Sequence, residues 1–248
     1  MSWMIKTATK ATKTLLHAAG FELTRFHPGD YEFGPTREAR LNWLKNLNIR
    51  TVLDIGANTG QFAAYIRTIL PEAMIYAFEP LKDCYQQLVE TVNVPNFKAF
   101  NFALGSEFGE IDIHRSKYSP SSSILLMGKL HKEAFPFTSG GVVERVAVKR
   151  LDDIAGNLKF VENVLIKIDV QGFEDKVIAG GRNIIQKAKV LIVETSFKSL
   201  FEGQPLFDEI YDIVRGMGFE HHGNWTQLLN PLDGSVLQAD GIFIKANK

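Results

Sequence analysis

The sequence predicts an α/β fold built on a doubly wound, mostly parallel sheet. Two observations carry this. Four short apolar runs, Val52–Ile55, Met74–Phe78, Val164–Ile168 and Val190–Val193, alternate with segments whose apolar residues recur at helical spacing. Each run also carries or meets a carboxylate at its end: Asp54, Glu79, Asp169 and Glu194. Open parallel sheets bind ligands outside the carboxyl ends of their strands. Four acids on that rim mark a site, although Asp169 and Glu194 also suit caps of the helices that follow.

Taken in order, residues 1–20 read as a basic amphipathic helix, with Lys6, Lys10 and Lys13 among Trp3, Ile5, Leu15 and Leu16, ended by Gly20. The stretch lacks the continuous apolar core of a signal peptide. Its expected use is packing on the domain or on a second copy of the chain, ahead of contact with a membrane surface. Phe21–Pro35 reads as an ordered loop and Thr36–Leu47 as a helix feeding the first strand. Residues 1–48 are thus expected as an N-terminal helical extension and 49–248 as the main domain. Gln61–Leu70 shows Phe62, Ile66, Ile69 and Leu70 at helical spacing and is stopped by Pro71. Asp83–Val92 reads as the next helix, with Cys84 a small buried residue. Phe97–Leu104 is expected as one strand, and the alternation of Glu110–His114 suggests an antiparallel one.

Ser116–Gly141 is the least regular stretch, rich in Ser and Gly, and is expected to be a surface loop or a lid over the site. His131 inside it reads as solvated. Val142–Val148 alternates like a strand, and Leu151–Ile154 begins a short helix. Glu174 opens a helix carrying Val177, Ile178, Ile184 and Ile185, where its charge favours the helix dipole. Leu206–Val214 forms a long helix closed by Gly216 and Gly218, with His221 and His222 expected on the surface beyond it. The chain then turns at Pro231–Gly234 into a last strand, Gly241–Ile244.

Composition narrows the class of function. The 248 residues suffice for one large domain, with 45% hydrophobic and 23% charged residues. Lys+Arg and Asp+Glu both number 28, so no broad basic field exists for nucleic acid. No run is long enough for stable membrane insertion. A single cysteine, Cys84, permits no internal disulfide and fits a cytoplasmic location.

The loop after the first strand, Asp54-Ile55-Gly56-Ala57-Asn58-Thr59-Gly60, selects among nucleotide ligands. A dinucleotide fingerprint needs a glycine where Asn58 stands. Asp54 brings negative charge toward a pyrophosphate, but suits an ammonium or a sulfonium. Asp-x-Gly-x-x-x-Gly is the form taken by S-adenosylmethionine (SAM) loops. An ordinary βα turn explains this loop when it is taken alone. Glu79, roughly 25 positions on at the end of the next strand, supplies the acid that accepts ribose hydroxyls.

These segments resemble the FkbM-type family of SAM-dependent methyltransferases. The resemblance runs in family order over about 200 residues: Val52–Gly60, Phe78-Glu79-Pro80, Ala103-Leu104-Gly105, Ser121-Ser122-Ser123, Leu151-Asp152-Asp153, Lys167–Glu174, Glu194 and Gln238–Phe243. Gln171 departs from it, since the family usually has Glu there. The resemblance implies a seven-stranded, Rossmann-like class I methyltransferase fold and methylation of a hydroxyl on a small-molecule, sugar, glycan or natural-product acceptor. The expected cofactor residues are Asp54, Gly56, Ala57, Asn58, Gly60, Glu79, Pro80 and Ala103. Asp169 and Glu194 are the catalytic candidates, with Asp169 either a base or one ligand of Mg²⁺. Two other readings stand beside this one: a non-catalytic SAM-binding module and an NAD-dependent oxidoreductase.

Overall fold

The protein is described here from a computed structural model, over residues 39–246. The N-terminal helix, the loop after it and the self-association assigned to them lie outside the described residues. Arg37–Lys248 cluster as one compact unit.

Ten strands are formed among the described residues: β1 Thr51–Ile55, β2 Met74–Phe78, β3 Phe97–Phe100, β4 Ala103–Leu104, β5 Gly109–Ser116, β6 Gly141–Lys149, β7 Val164–Ile168, β8 Val190–Ser196, β9 Phe219–Leu229 and β10 Val236–Lys245. Seven build one sheet in the order β3-β2-β1-β7-β8-β10-β9. The first five are mutually parallel, while β10 runs antiparallel to both β8 and β9. This is the doubly wound, seven-stranded class I methyltransferase arrangement. The remaining three strands form a small sheet, β4-β6-β5.

The helices cover both faces of the large sheet. Helix α1, Gln61–Ile69, buries Phe62, Ala63, Ile66 and Ile69. They join Val52, Ile75, Leu165, Val190, Ile192 and Ile242 in one core. The opposite face packs Leu53, Ile55, Ile166, Ile168, Leu191 and Val193 under the later helices. Because both faces are covered, the central strands are mostly apolar, as buried parallel strands are.

Register decides where the polar groups fall. Asp54 pairs with Lys167 across β1 and β7, and Glu194 pairs with Asp240 across β8 and β10. Side chains two apart share a face. Asp54 therefore continues the row of Val52, Lys167 that of Leu165, Glu194 that of Ile192, and Asp240 that of Ile242. One apolar face becomes charged only at its last step, along the edge where the parallel strands end.

Four sequence expectations change. Phe97–Leu104 is not one strand: Asn101 interrupts it, donating to the Glu79 and Pro80 carbonyls at 2.9 and 2.8 Å, and the chain passes from one sheet to the other. The stretch before β1 is a 3-10 helix, Ala39–Leu47, in which Leu41 and Leu44 are both 0% exposed. Ser116–Gly141 is built rather than irregular, with α2 (Lys82–Thr91) preceding it and α3 (Lys129–Ala134) inside it. His131 on α3 is buried, because Phe135 and Phe201 pack edge-on against its ring.

Leu44 tests whether the 39–47 segment belongs to the core. Leu44→Ala is expected to cost about 2–5 kcal/mol in urea unfolding. A loss under about 0.5 kcal/mol would mark the segment as peripheral.

Candidate active site

The loop after β1 is shaped by backbone demands. Gly56 has φ +82, and a Cβ there would lie 1.8 Å from the Asp169 carbonyl oxygen, so only glycine lets the ends of β1 and β7 meet. The Gly56 and Ala57 N–H groups both donate to the Phe78 carbonyl at 3.0 Å. Asn58 takes a left-handed conformation, φ 46, which asparagine tolerates. Gly60, also left-handed, opens α1, and a Cβ there would lie 3.0 Å from the Leu88 and Val92 side chains.

Glu79 braces this loop from the neighbouring strand. Its carboxylate accepts from the Asn58 N–H at 2.9 Å and the Leu81 N–H at 2.8 Å. It is 5% exposed, and burial pushes its pKa to about 7 despite those two donors. The expected open rim residue is thus a buried brace with lone pairs to spare. Asp54 lies deeper, 0% exposed, and burial pushes its pKa to about 6; Lys167 offsets this only in part.

Two cavities open above the strand ends. The first, about 580 Å³, is lined by Gly56, Ala57, Asn58, Glu79, Pro80 and Ala103 among the expected cofactor residues. Asp54 and Gly60 do not line it; they lie under and behind the loop that does. Sequence reasoning missed Phe62, Tyr65, Trp225, Ser119 and Lys167 on its wall. Trp225 comes from β9, far along the chain, and stacks on Tyr65 at 5.5 Å. Only tertiary structure brings it here. Ser119, from the insertion after β5, meets the Asn58 side chain at 3.2 Å and so joins the insertion to the loop.

The second cavity, about 610 Å³, shares Tyr118, Pro120, Asp169, Gln171, Trp225 and Asp240 with the first and adds Glu194 and His131. Gln171 stands at the junction with φ 58, and its side-chain amide donates to Asp169 Oδ1 at 2.9 Å and to Glu194 Oε2 at 2.8 Å. Gln238 donates to the same Glu194 oxygen at 3.0 Å. A carboxylate at position 171 would stand between two others; the amide joins them instead. The Gln171 carbonyl accepts from the Ser123 hydroxyl at 2.6 Å, tying the insertion to this point.

Lys167 is the cation among these acids. Its side chain is 7% exposed, and its Nζ donates to Asp169 Oδ2 at 2.8 Å and lies 5.5 Å from the Phe62 ring centre. Burial works against its charge, but Asp169, Asp240 and Asp54 outweigh it and hold the ammonium above its ordinary pKa. Glu194 is pushed well above the ordinary carboxylate range by burial and by Asp169, Glu174 and Asp240. Glu174, first residue of α4 (Glu174–Gly180), is buried. Its Oε1 accepts the Val170 and Gly172 N–H groups, both at 3.1 Å, and so shapes the turn that carries Gln171. Burial pushes its pKa to about 7.

Residues 54–221 match the family model described as the methyltransferase FkbM domain. The chain belongs to the FkbM methyltransferase family. It is 29% identical over 170 residues to the 2-O-methyltransferase NoeI of Sinorhizobium fredii, a match spanning 66% of this chain and 70% of NoeI. It is 30% identical over 153 residues to methyltransferase sdnD of Sordaria araneosa, spanning 52% of this chain and 59% of sdnD. Among solved structures, a TehB-like SAM-dependent methyltransferase from Corynebacterium glutamicum aligns over 98% of this chain and 99% of that one, at 12% identity and a TM-score of 0.43.

FkbM membership sets aside the oxidoreductase reading and brings SAM to the first cavity as the group to be tested. The residues fit it. A buried carboxylate, Asp54, has both oxygens without a hydrogen-bond partner among the described residues, beneath a loop that presents backbone to the cavity. Mg²⁺ finds no support: Asp169 accepts from Lys167 and Gln171, and no group of three or more His, Cys, Asp or Glu among the described residues is arranged to hold a metal ion. No helix among the described residues is long and apolar enough to cross a membrane.

The raised pKa of Glu174 has a sign. Its neutral form is favoured by the fold, so its contribution is whole below about pH 4.5 and is lost as pH rises through about 7. Glu174→Gln keeps an oxygen for both N–H groups and cannot ionise. The variant is expected to match the parent near pH 5 and to exceed its stability at pH 8, by up to about 3 kcal/mol. Urea unfolding at both pH values checks this; a difference that does not change with pH contradicts the buried, raised carboxyl.

Proposed function

We propose that this chain methylates a hydroxyl of a sugar, glycan or natural-product acceptor, with SAM in the first cavity and the acceptor entering from the second. The observation that carries the reading is the Asp169–Gln171–Glu194 bridge, which stands where the two cavities meet. The relative NoeI is named a 2-O-methyltransferase, which supports an oxygen acceptor. Cys84, buried and unpaired, suits a reducing cytoplasm.

SAM supplies a methyl group already activated by its sulfonium. The chain's part is to bind, align and manage one proton. Glu79 has lone pairs left after its two backbone bonds, and these take the ribose hydroxyls. Asp54, Asp169 and Asp240 give the pocket a negative field suited to a cationic cofactor. Holding the acceptor oxygen in line accounts for roughly 7–11 kcal/mol of barrier lowering in well-oriented reactions.

The proton belongs to Glu194. Gln171 and Gln238 both donate to its Oε2, which fixes the plane of the carboxylate and leaves Oε1 for the acceptor. A base works best when its pKa lies near the working pH, and the shift of Glu194 is in that direction. Glu194 would take the acceptor's hydroxyl proton as that oxygen gains the methyl group and the methyl–sulfur bond breaks, leaving S-adenosylhomocysteine. Asp169, held by Lys167 and Gln171, orients the same hydroxyl from the other side.

Two measurements test this. Saturating S-adenosylhomocysteine, at one hundred times Kd, is expected to stabilise the protein by about 2.7 kcal/mol. Glu194→Gln is expected to bind it as the parent does and to lose roughly 10²- to 10⁴-fold in methyl transfer. Full turnover by Glu194→Gln would remove Glu194 as the base.

A further inference from the structure

The second cavity has two different walls. Its inner wall is polar and built: Asp169, Glu194 and Gln238 are joined through amides, and Asp240 is held by Thr226. On the same wall His131 is 3% exposed, and its Nδ1 is buried with no hydrogen-bond partner among the described residues. Burial lowers its pKa. The outer edge is aromatic and open. Tyr118 is 50% exposed and Phe137 64%, with ring centres 5.6 Å apart at 74°. Leu228 continues that edge from β9.

We propose that this cavity takes a neutral hydroxylated ring bearing an apolar substituent. The ring lies against Asp169, Gln171 and Glu194, and the substituent lies across Tyr118 and Phe137. The proposal rests on the methyltransferase reading above and names the acceptor chemistry of that same site.

The chemistry of each wall selects its part of the ligand. Carboxylates repel phosphate and carboxylate groups but accept hydroxyl donors, so the inner wall takes a neutral polyol. A cavity of about 610 Å³ admits a ring plus a substituent, within the usual range for small-molecule sites. Two large rings left half in water at its edge are the surface such a substituent covers. Their edge-to-face pairing offers a third ring a ready partner.

The test uses matched methyl and phenyl glycosides of hexoses and 6-deoxyhexoses, titrated calorimetrically into protein saturated with S-adenosylhomocysteine. Phenyl glycosides are expected to bind roughly tenfold more tightly than methyl glycosides of the same sugar, from the apolar area covered. In Phe137→Ser the gap is expected to close to under about twofold. Phe137 is exposed, so its replacement leaves the fold intact; Tyr118→Ser is the second variant. Equal affinities, no binding of any phenyl glycoside, or a gap that survives both variants overturns the proposal. S-adenosylhomocysteine binding is read first. Its absence removes the methyltransferase reading and the proposal together, whereas its presence without a phenyl preference removes the proposal alone.

Discussion

One buried charge holds the active end of the sheet together. Lys167 sits in the middle of the sheet with its ammonium among Asp54, Asp169 and Asp240. Taking an ion pair out of water is costly, and such a pair is seldom more stable than apolar residues of the same size. Removing one partner alone is far worse, because the other charge is left buried. The carboxylates of this site therefore depend on Lys167. Its position is itself dictated by register, which places it beside Asp54 and on the same face as Glu194 and Asp240.

The site follows from how one sheet face ends. Below it, Val52, Leu165, Val190, Ile192 and Ile242 pack under α1 as ordinary core. One pleat further on, each row turns polar. The strand ends cannot close over themselves, because Gly56 brings the β1 loop against the Asp169 backbone and leaves the space above open. The insertion after β5 roofs that space and is fastened at Asn58 by Ser119 and at Gln171 by Ser123. Catalytic and binding groups thus sit on strand ends, which hold geometry better than free loops do.

Much of this was legible in the sequence. The four apolar runs became β1, β2, β7 and β8, because fully buried parallel strands show uninterrupted apolar composition. The turn at Pro231–Gly234 and the two alternating strands β5 and β6 followed from turn residues and alternation, whereas the pairing of β5 with β6 came from the structure. Asp169 and Glu194 were visible as acids that follow apolar runs. What escaped was set by distant contacts. Phe97–Leu104 looks like one strand until Asn101 finds the carbonyls of Glu79 and Pro80. His131 looks solvated until Phe201, some seventy positions later by the numbering, covers it. Lys167 reads only as one residue of an apolar run, because only register shows that acids lie on either side of it. Glu79 and Glu174 were legible as acids in the right place, but not as buried braces of the backbone beside them.

The most direct test of this account is the stability of Lys167→Met at two pH values, each compared with the parent by urea unfolding. With the ammonium gone, Asp54, Asp169 and Asp240 repel one another, and protonating Asp54 relieves them. The account predicts a loss of about 3–5 kcal/mol at pH 8. It predicts that part of this loss is recovered near pH 5, where Asp54, whose pKa burial pushes to about 6, takes up a proton. An equal loss at both pH values would mean that Lys167 serves packing alone, and would contradict the claim that its charge holds the site.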